Sequence, residues 1–267
     1  MKKLVTIALV IFSLASIGLS QDDTRKFKYS SKRAFTGTVL HYVKTNIDGT
    51  QPEFVSQYFA DGDTMESFKF HKGNFPAALV IAKMDWETFS AAALYSHRIN
   101  SKTERPLFAT IRFDRTKRHA EVSIPMMRPE KETFSIPKFP VHIYNFDLGS
   151  LNFALPHLVD SKVTFTIGIA DPTFRDNAPM AEYKGEVGIR FVAEELRNGN
   201  LSRKYLIDGP GLKMRGGHIW VNKQKDWIED IEIDLPDNPE WKTFKFKLLK
   251  AEQMTRPQWE KFILDQF

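Results

Sequence analysis

Short segments in which apolar and polar residues alternate recur along most of the chain, and turn residues separate them. Between positions 35 and 44, Val39 and Val43 fall on one face, while Leu40 and Tyr42 fall on the other. The chain also contains 22 Phe residues, and strands favour aromatic side chains. This period of two predicts a mainly β protein built from successive antiparallel hairpins.

The clearest hairpin is the last one in the sequence. Its first strand, 227–235, places Ile231 and Ile233 on one face and acidic residues on the other. The returning strand, 244–248, alternates aromatic and apolar residues with Lys245 and Lys247. We therefore expect acid–lysine pairs across the two strands, each contributing a few tenths of a kcal/mol.

Two segments depart from this alternation. The apolar spacing over 147–158 fits a short helix, although Pro156 limits its length. The segment 255–267 begins with Thr255 and Gln258 in capping-box spacing, with a proline in the first turn. The sequence therefore predicts one short helix near the middle of the chain and one at its C-terminal end.

The first 20 residues have the order of a secretory signal peptide. Lys2 and Lys3 precede an apolar run of about a dozen residues, and small residues follow. A membrane-spanning helix needs roughly 20 apolar residues, so this run is too short for a permanent anchor. We expect cleavage near Ser20–Gln21 and a periplasmic or secreted mature protein.

The sequence contains no cysteine, which excludes disulfides, thiolate metal sites and a cysteine nucleophile. Two of its 38 basic residues lie in the signal, which leaves 36 against 33 acidic residues. Nucleic-acid-binding domains are usually much more basic, so this near-balance gives no indication of a nucleic-acid partner.

The mature chain is expected to form a single β-rich domain. Residues 21–34 are polar and predict a flexible arm. A proline-rich crossing at 125–140 divides the domain, 35–267, into two halves, because proline is poorly tolerated inside a sheet.

No motif in the sequence identifies a reaction. The seven histidines are isolated from one another and show no metal-ligand spacing, and there is no nucleophile elbow, phosphate loop or dinucleotide fingerprint. We therefore predict no catalytic residue, no metal ligand and no cofactor.

The segment with the most distinctive composition lies at positions 214–220. Gly216 and Gly217 precede His218 and Trp220, and glycines let a ligand approach the backbone closely. The same two glycines also suit a bulge or bend in a coiled sheet. These four residues are the candidate ligand-binding residues, with the bend as the alternative.

The second half of the chain resembles a group of exported bacterial proteins. The features are a helical Asp147–Leu151 element, a Tyr-x-Gly-x-Val segment at 183–187, Lys204-Tyr205, a Trp-containing strand at 218–221 and the closing hairpin. This layout, over residues 140–250, is similar to that of periplasmic lipoprotein carriers. The resemblance implies a large curved antiparallel sheet, a half-barrel or β-clam, with an aromatic-lined concave face and helices partly closing it. It transfers no catalytic residue.

Three functions remain open from the sequence. The favoured one is an exported envelope protein that binds a hydrophobic or amphipathic ligand, or an envelope partner, without catalysis and with at most peripheral membrane contact. The second is a metal-assisted hydrolase acting on envelope material, which requires at least three histidines or acids in one cleft. The third is a structural or assembly protein with no small ligand, which requires an exposed apolar patch or a bare sheet edge.

Overall fold

A computed structural model describes residues 22–173, 175, 177–236 and 241–267. The expected signal peptide, 1–20, lies outside these residues.

The described chain forms fifteen strands in one sheet. The first eight strands are β1 (Thr38–Thr45), β2 (Glu53–Phe59), β3 (Thr64–Phe70), β4 (Ala77–Asp85), β5 (Ser90–Ile99), β6 (Leu107–Asp114), β7 (His119–Ser123) and β8 (Glu132–Ser135). The remaining seven are β9 (Val141–Ile143), β10 (Phe165–Pro172), β11 (Ala181–Arg197), β12 (Asn200–Asp208), β13 (Gly217–Asn222), β14 (Ile228–Ile233) and β15 (Phe244–Gln253).

The strands form two meanders, β8 to β1 and β15 to β9, and the pairing of β1 with β15 joins them into one sheet. The strand order runs β8-β7-β6-β5-β4-β3-β2-β1-β15-β14-β13-β12-β11-β10-β9. Every pair is antiparallel except β9 with β10, which is parallel. The prediction of a mainly β, largely antiparallel protein is therefore confirmed, and one sheet runs through both halves of the chain.

The sheet is strongly curled because its two edge strands are consecutive in sequence. Fifteen flat strands at about 4.8 Å spacing would put β8 and β9 roughly 65 Å apart. The six residue steps from Ser135 to Val141 span at most about 20 Å. The two ends of the sheet do approach each other: the Met180 N–H donates to Oε2 of Glu132 at 2.7 Å. No ladder joins β8 to β9 within the described residues, so the curled sheet stays open.

The short helix α1 (Gly149–Ala154) fills the centre of the curled sheet. All six of its residues are buried, and a short 3-10 turn (Leu155–His157) continues it. The Asn152 side chain donates to the Tyr42 hydroxyl at 2.9 Å and to Gln57 Oε1 at 2.8 Å, and its own oxygen accepts the Ile228 N–H. The predicted helix near 147–158 is confirmed, and it ties the first strands to β14.

The second helix, α2 (Arg256–Leu264), covers the opposite, outer face of the sheet. Trp259 and Ile263 are fully buried against a separate apolar cluster that includes Val39, Tyr58 and Phe68. The capping box is present, with the Thr255 N–H donating to Gln258 Oε1 at 2.8 Å. The predicted C-terminal helix is therefore confirmed. Among the described residues, no helix combines the length and the apolar character needed to cross a bilayer.

The closing hairpin pairs an acid with a lysine across its two strands, as predicted. Glu232 pairs with Lys245 across β14 and β15, and their charged atoms lie 2.9 Å apart. Asp230 lies opposite Lys247, but its carboxylate contacts Arg197 of β11 at 2.8 Å. The proline-rich crossing contains β8, which is one of the two edge strands of the sheet.

The segment predicted to be a flexible arm, 21–34, is described from residue 22 onward and packs against the buried turn that follows α1. Phe27 is buried and forms an isolated antiparallel bridge with Leu158. The Asp22 carboxylate accepts two hydrogen bonds from the Arg118 guanidinium, and Asp23 accepts the Thr166 N–H at 2.7 Å. These contacts join both halves of the sheet.

Candidate ligand-binding cavity

An apolar cavity of about 410 Å³ lies between the inner face of strands β3–β7 and the segment that follows β9. Its floor is formed by buried or partly buried apolar side chains from both sides. These are Val80, Leu94, Ile111, Val122, Ile143 and Phe146. Ligand pockets of roughly 300–1,000 Å³ with mainly apolar walls are typical of small-molecule sites.

The strand register explains why apolar side chains line the cavity. Val80 lies opposite Ser96, and Leu94 lies opposite Ile111. Side chains at these paired positions point to the same face of the sheet. Because β4 and β6 also contribute the small residues Ala78 and Ala109 to the lining, the inner face is not filled at this end.

The rim of the cavity is polar and more exposed than its floor. It is formed where β2 begins, β3 ends and β5 ends, by Glu53, Lys69, His71 and Arg98. His71 and Arg98 are exposed, whereas Glu53 and Lys69 are partly buried. The arrangement suits a molecule whose apolar part lies inside and whose polar part stays at the rim.

A buried ion cluster supports the inner side of this rim. Lys69 Nζ lies 2.8 Å from Asp147 Oδ2, and Lys44 Nζ lies 3.4 Å from Asp147 Oδ1. Lys44 is also 3.7 Å from Glu53 and 4.2 Å from the centre of the Trp241 ring. The two lysines therefore balance the two carboxylates.

Burial raises the pKa of the Glu53 carboxyl above its ordinary value, although both lysines act in the opposite direction. Desolvation disfavours the charged form of an acid, and a neighbouring carboxylate such as Asp147 adds to the effect. Glu53 is thus a weaker acid than an exposed glutamate.

Local backbone conformation places Asp147 in this cluster. Asp147 and Leu148 both have φ near +52°, which turns the chain into α1 immediately afterwards. Aspartate adopts this left-handed region more readily than most residues. The carboxylate is thereby directed at the two lysines, and Lys69 also donates to the Asn145 carbonyl at 2.7 Å.

The four predicted ligand-binding residues do not line this cavity. Gly216 and Gly217 lie where neighbouring strands pass very close: a Cβ atom at Gly217 would be 1.8 Å from the Glu232 carbonyl oxygen. Trp220 is buried beneath the Arg197 guanidinium and donates to Glu195 at 2.6 Å. The close approach supports the structural role of the glycines, and ligand binding at these positions stays a prediction.

His218 lies beside Trp220, with ring centroids 5.6 Å apart. Its neighbours Ile219 and Val221 point into the main core, so alternation places His218 and Trp220 on the outer face of β13. The cavity is enclosed by the inner face. His218 and Trp220 therefore lie on the side of the sheet away from the cavity.

Two histidines, His71 and His97, line the cavity, and the buried ones lie elsewhere. His142 and His157 are buried separately, and burial lowers their pKa values from 6.5 to about 3 and about 4. His142 Nδ1 contacts the Ser150 hydroxyl at 2.8 Å, and His157 Nδ1 accepts the Ser30 N–H at 3.3 Å. In the part of the chain that the structure describes, no group of three or more His, Asp or Glu side chains is arranged to hold a metal ion.

Sequence reasoning did not single out Lys44, Lys69 or Asp147. The sequence does indicate one of these residues, because Lys44 lies on the same strand face as Leu40 and Tyr42 and is therefore directed inward. A lysine on the core-facing side of a strand needs a buried partner. The identity of that partner, about 100 residues away, depends on how the sheet curls.

Comparison with known proteins gives no assignment. No protein-family model matches the chain, and no curated protein is significantly similar to it. The cavity and its polar rim are therefore the basis for a functional proposal.

Proposed function

We propose that this protein is an exported envelope protein that binds an apolar or amphipathic small molecule in the cavity over β3–β7. The observation that supports the proposal is the combination of a deep apolar floor with an exposed polar rim. Burying apolar ligand surface contributes about 25 cal/mol per Å², and the polar rim keeps the ligand's hydrophilic end solvated. The arrangement needs no catalytic group.

The centre of the curled sheet is solid, because α1 fills it. The proposed ligand therefore occupies one end of the interior rather than the whole concave face. At roughly 30 Å³ for each non-hydrogen atom, taken from the volume of a water molecule, the cavity holds about fourteen such atoms. This capacity fits one short acyl chain or one compact apolar molecule.

Uptake of the neutral fluorophore N-phenyl-1-naphthylamine tests binding directly. We expect delipidated wild-type protein to enhance its fluorescence and to saturate. Ala78 lines the cavity opposite Lys69, so Ala78→Phe fills the space and weakens binding at least about tenfold. Ala251 is an exposed position on β15, and Ala251→Phe is the matched control with unchanged binding. No uptake by the wild type, or equal binding by the two variants, contradicts the proposal.

Export is tested separately. The full chain, produced with its own N-terminus in a Gram-negative host, should be recovered from the periplasm or the medium with Gln21 as its first residue. N-terminal sequencing of the recovered protein makes the measurement. Retention in the cytoplasm with Met1 in place counts against export and leaves ligand binding as a separate question.

A further inference from the structure

The rim of the cavity carries one cation, Arg98, that none of the described residues neutralises. Arg98 lines the cavity and is exposed, and within the described chain its guanidinium forms no ion pair and no hydrogen bond. Its own backbone N–H donates to the Pro106 carbonyl at 3.0 Å, which fixes the end of β5 at the rim. The backbone of Arg98 is therefore fixed at the rim, while its side chain is exposed to solvent.

The other charges at the rim cancel one another. Lys44 and Lys69 are matched by Asp147 and Glu53 in the buried cluster. Among its arginine, lysine and carboxylate groups, the rim therefore has an excess of one positive charge, and Arg98 carries it.

The difference in solvent exposure between the floor and the rim of the cavity determines which end of the ligand lies near Arg98. The cavity floor is apolar and buried, whereas the residues nearest solvent are His71, Pro76 and Arg98. An amphiphile lowers its free energy by placing its chain on the floor and its head at the rim. The head would then lie within reach of the guanidinium, which binds carboxylate and phosphate oxygens in bidentate geometry.

We infer that the ligand is a single-chain amphiphile with a monoanionic oxygen head, such as a carboxylate or a phosphodiester, held at the rim by Arg98. This inference rests on the proposed function, and it adds the class of ligand and the residue that selects it. The excess of one charge matches one anionic head. The cavity volume matches one short chain.

Competition against bound N-phenyl-1-naphthylamine tests the head group at constant chain length. The competitors are dodecanoate, a dodecanoyl lysophosphatidylglycerol, dodecanol and dodecyltrimethylammonium, each below its micellar concentration. We expect at least one of the two anions to bind about tenfold more tightly than dodecanol, and the cation to bind most weakly. The tighter of the two anions identifies the source of the head, a free fatty acid or a lysolipid.

Charge reversal identifies the residue responsible. Arg98→Glu should abolish the preference for the anion over dodecanol, with the two affinities compared within the same variant. Lys102→Glu makes the same change of charge at an exposed turn position that does not line the cavity, and it should keep the preference. Arg98→Gln, which removes charge without reversing it, should give an intermediate result.

The outcomes separate this inference from the proposed function. If the fluorophore binds but dodecanoate, the lysolipid and dodecanol compete equally, the anionic head is wrong and cavity binding stands. Tightest binding of dodecyltrimethylammonium, or equal effects of Arg98→Glu and Lys102→Glu, also overturns the inference. If wild-type protein binds no fluorophore, both the proposed function and this inference fail.

Discussion

Lys69 Nζ lies 2.8 Å from Asp147 Oδ2 and connects the rim of the cavity to the turn that begins α1. Lys44 approaches the other oxygen of the same carboxylate. Asp147 is fully buried. Its carboxylate compensates the positive charges of the two lysines, which would otherwise lie inside the sheet without a counter-charge. The geometry of the rim and the position of the central helix therefore depend on the same ion cluster.

Asp147→Asn should destabilise the protein by about 3 kcal/mol or more, because it leaves two buried lysines with less compensation. Asparagine tolerates the left-handed backbone at this position, so the substitution changes charge and little else. Urea unfolding followed by circular dichroism measures the effect.

The double variant Lys44→Met with Asp147→Asn is the control for this prediction. It removes one charge of each sign, so its cost should be smaller than the sum of the two single costs. Additive costs, or a loss below about 0.5 kcal/mol in Asp147→Asn alone, would show that the cluster is not a coupled unit.

The sequence predicts the strands better than it predicts the site. Alternation and turn residues identify a hairpin locally, and they correctly predict that acids face lysines across the closing hairpin, as Glu232 does with Lys245. The edge strands β8 and β9 are short and carry little pattern, and they were missed. The cavity and the ion cluster depend on contacts between distant segments, such as Lys44 with Asp147. No local pattern encodes the curl that brings those residues together.

Gly217→Ala tests whether the glycines of β13 serve close strand packing. The added methyl group would lie 1.8 Å from the Glu232 carbonyl oxygen, so the strands must separate at a cost of about 3 kcal/mol. Gly188→Ala on β11 is the matched control, because the nearest atom to its methyl group is 3.9 Å away. Thermal unfolding should distinguish the two, and similar melting temperatures would remove the packing explanation.

His157→Phe tests the pH dependence that burial imposes. The fold holds the pKa of His157 at about 4, below its ordinary value of 6.5, so the unfolded chain binds more protons than the folded one between these values. The stabilisation is complete above pH 6.5 and is lost as the pH falls towards 4. Between pH 7 and pH 5 this residue should account for about 2 kcal/mol of lost stability.

The measurement is urea unfolding of both proteins at the two pH values. The wild type should lose about 2 kcal/mol more than His157→Phe on acidification, whereas buried His142 contributes equally to both. Phenylalanine keeps the ring contacts with Tyr29 and Trp86. Identical losses in the two proteins would mean that His157 is protonated as readily in the fold as in the unfolded chain.

Phe27→Ala tests whether the N-terminal segment is part of the fold or a flexible arm. Phe27 stacks on Phe89 at 5.0 Å and meets Phe165 edge-on at 5.2 Å, between the two halves of the sheet. Truncation of a buried phenylalanine costs about 3–5 kcal/mol, and it should also expose residues 22–34 to proteases. Lys28→Ala, at the exposed neighbouring position, should change unfolding by less than about 0.5 kcal/mol. If Phe27→Ala has an equally small effect and proteases already trim the wild-type segment, the arm is flexible in solution and does not stabilise the sheet.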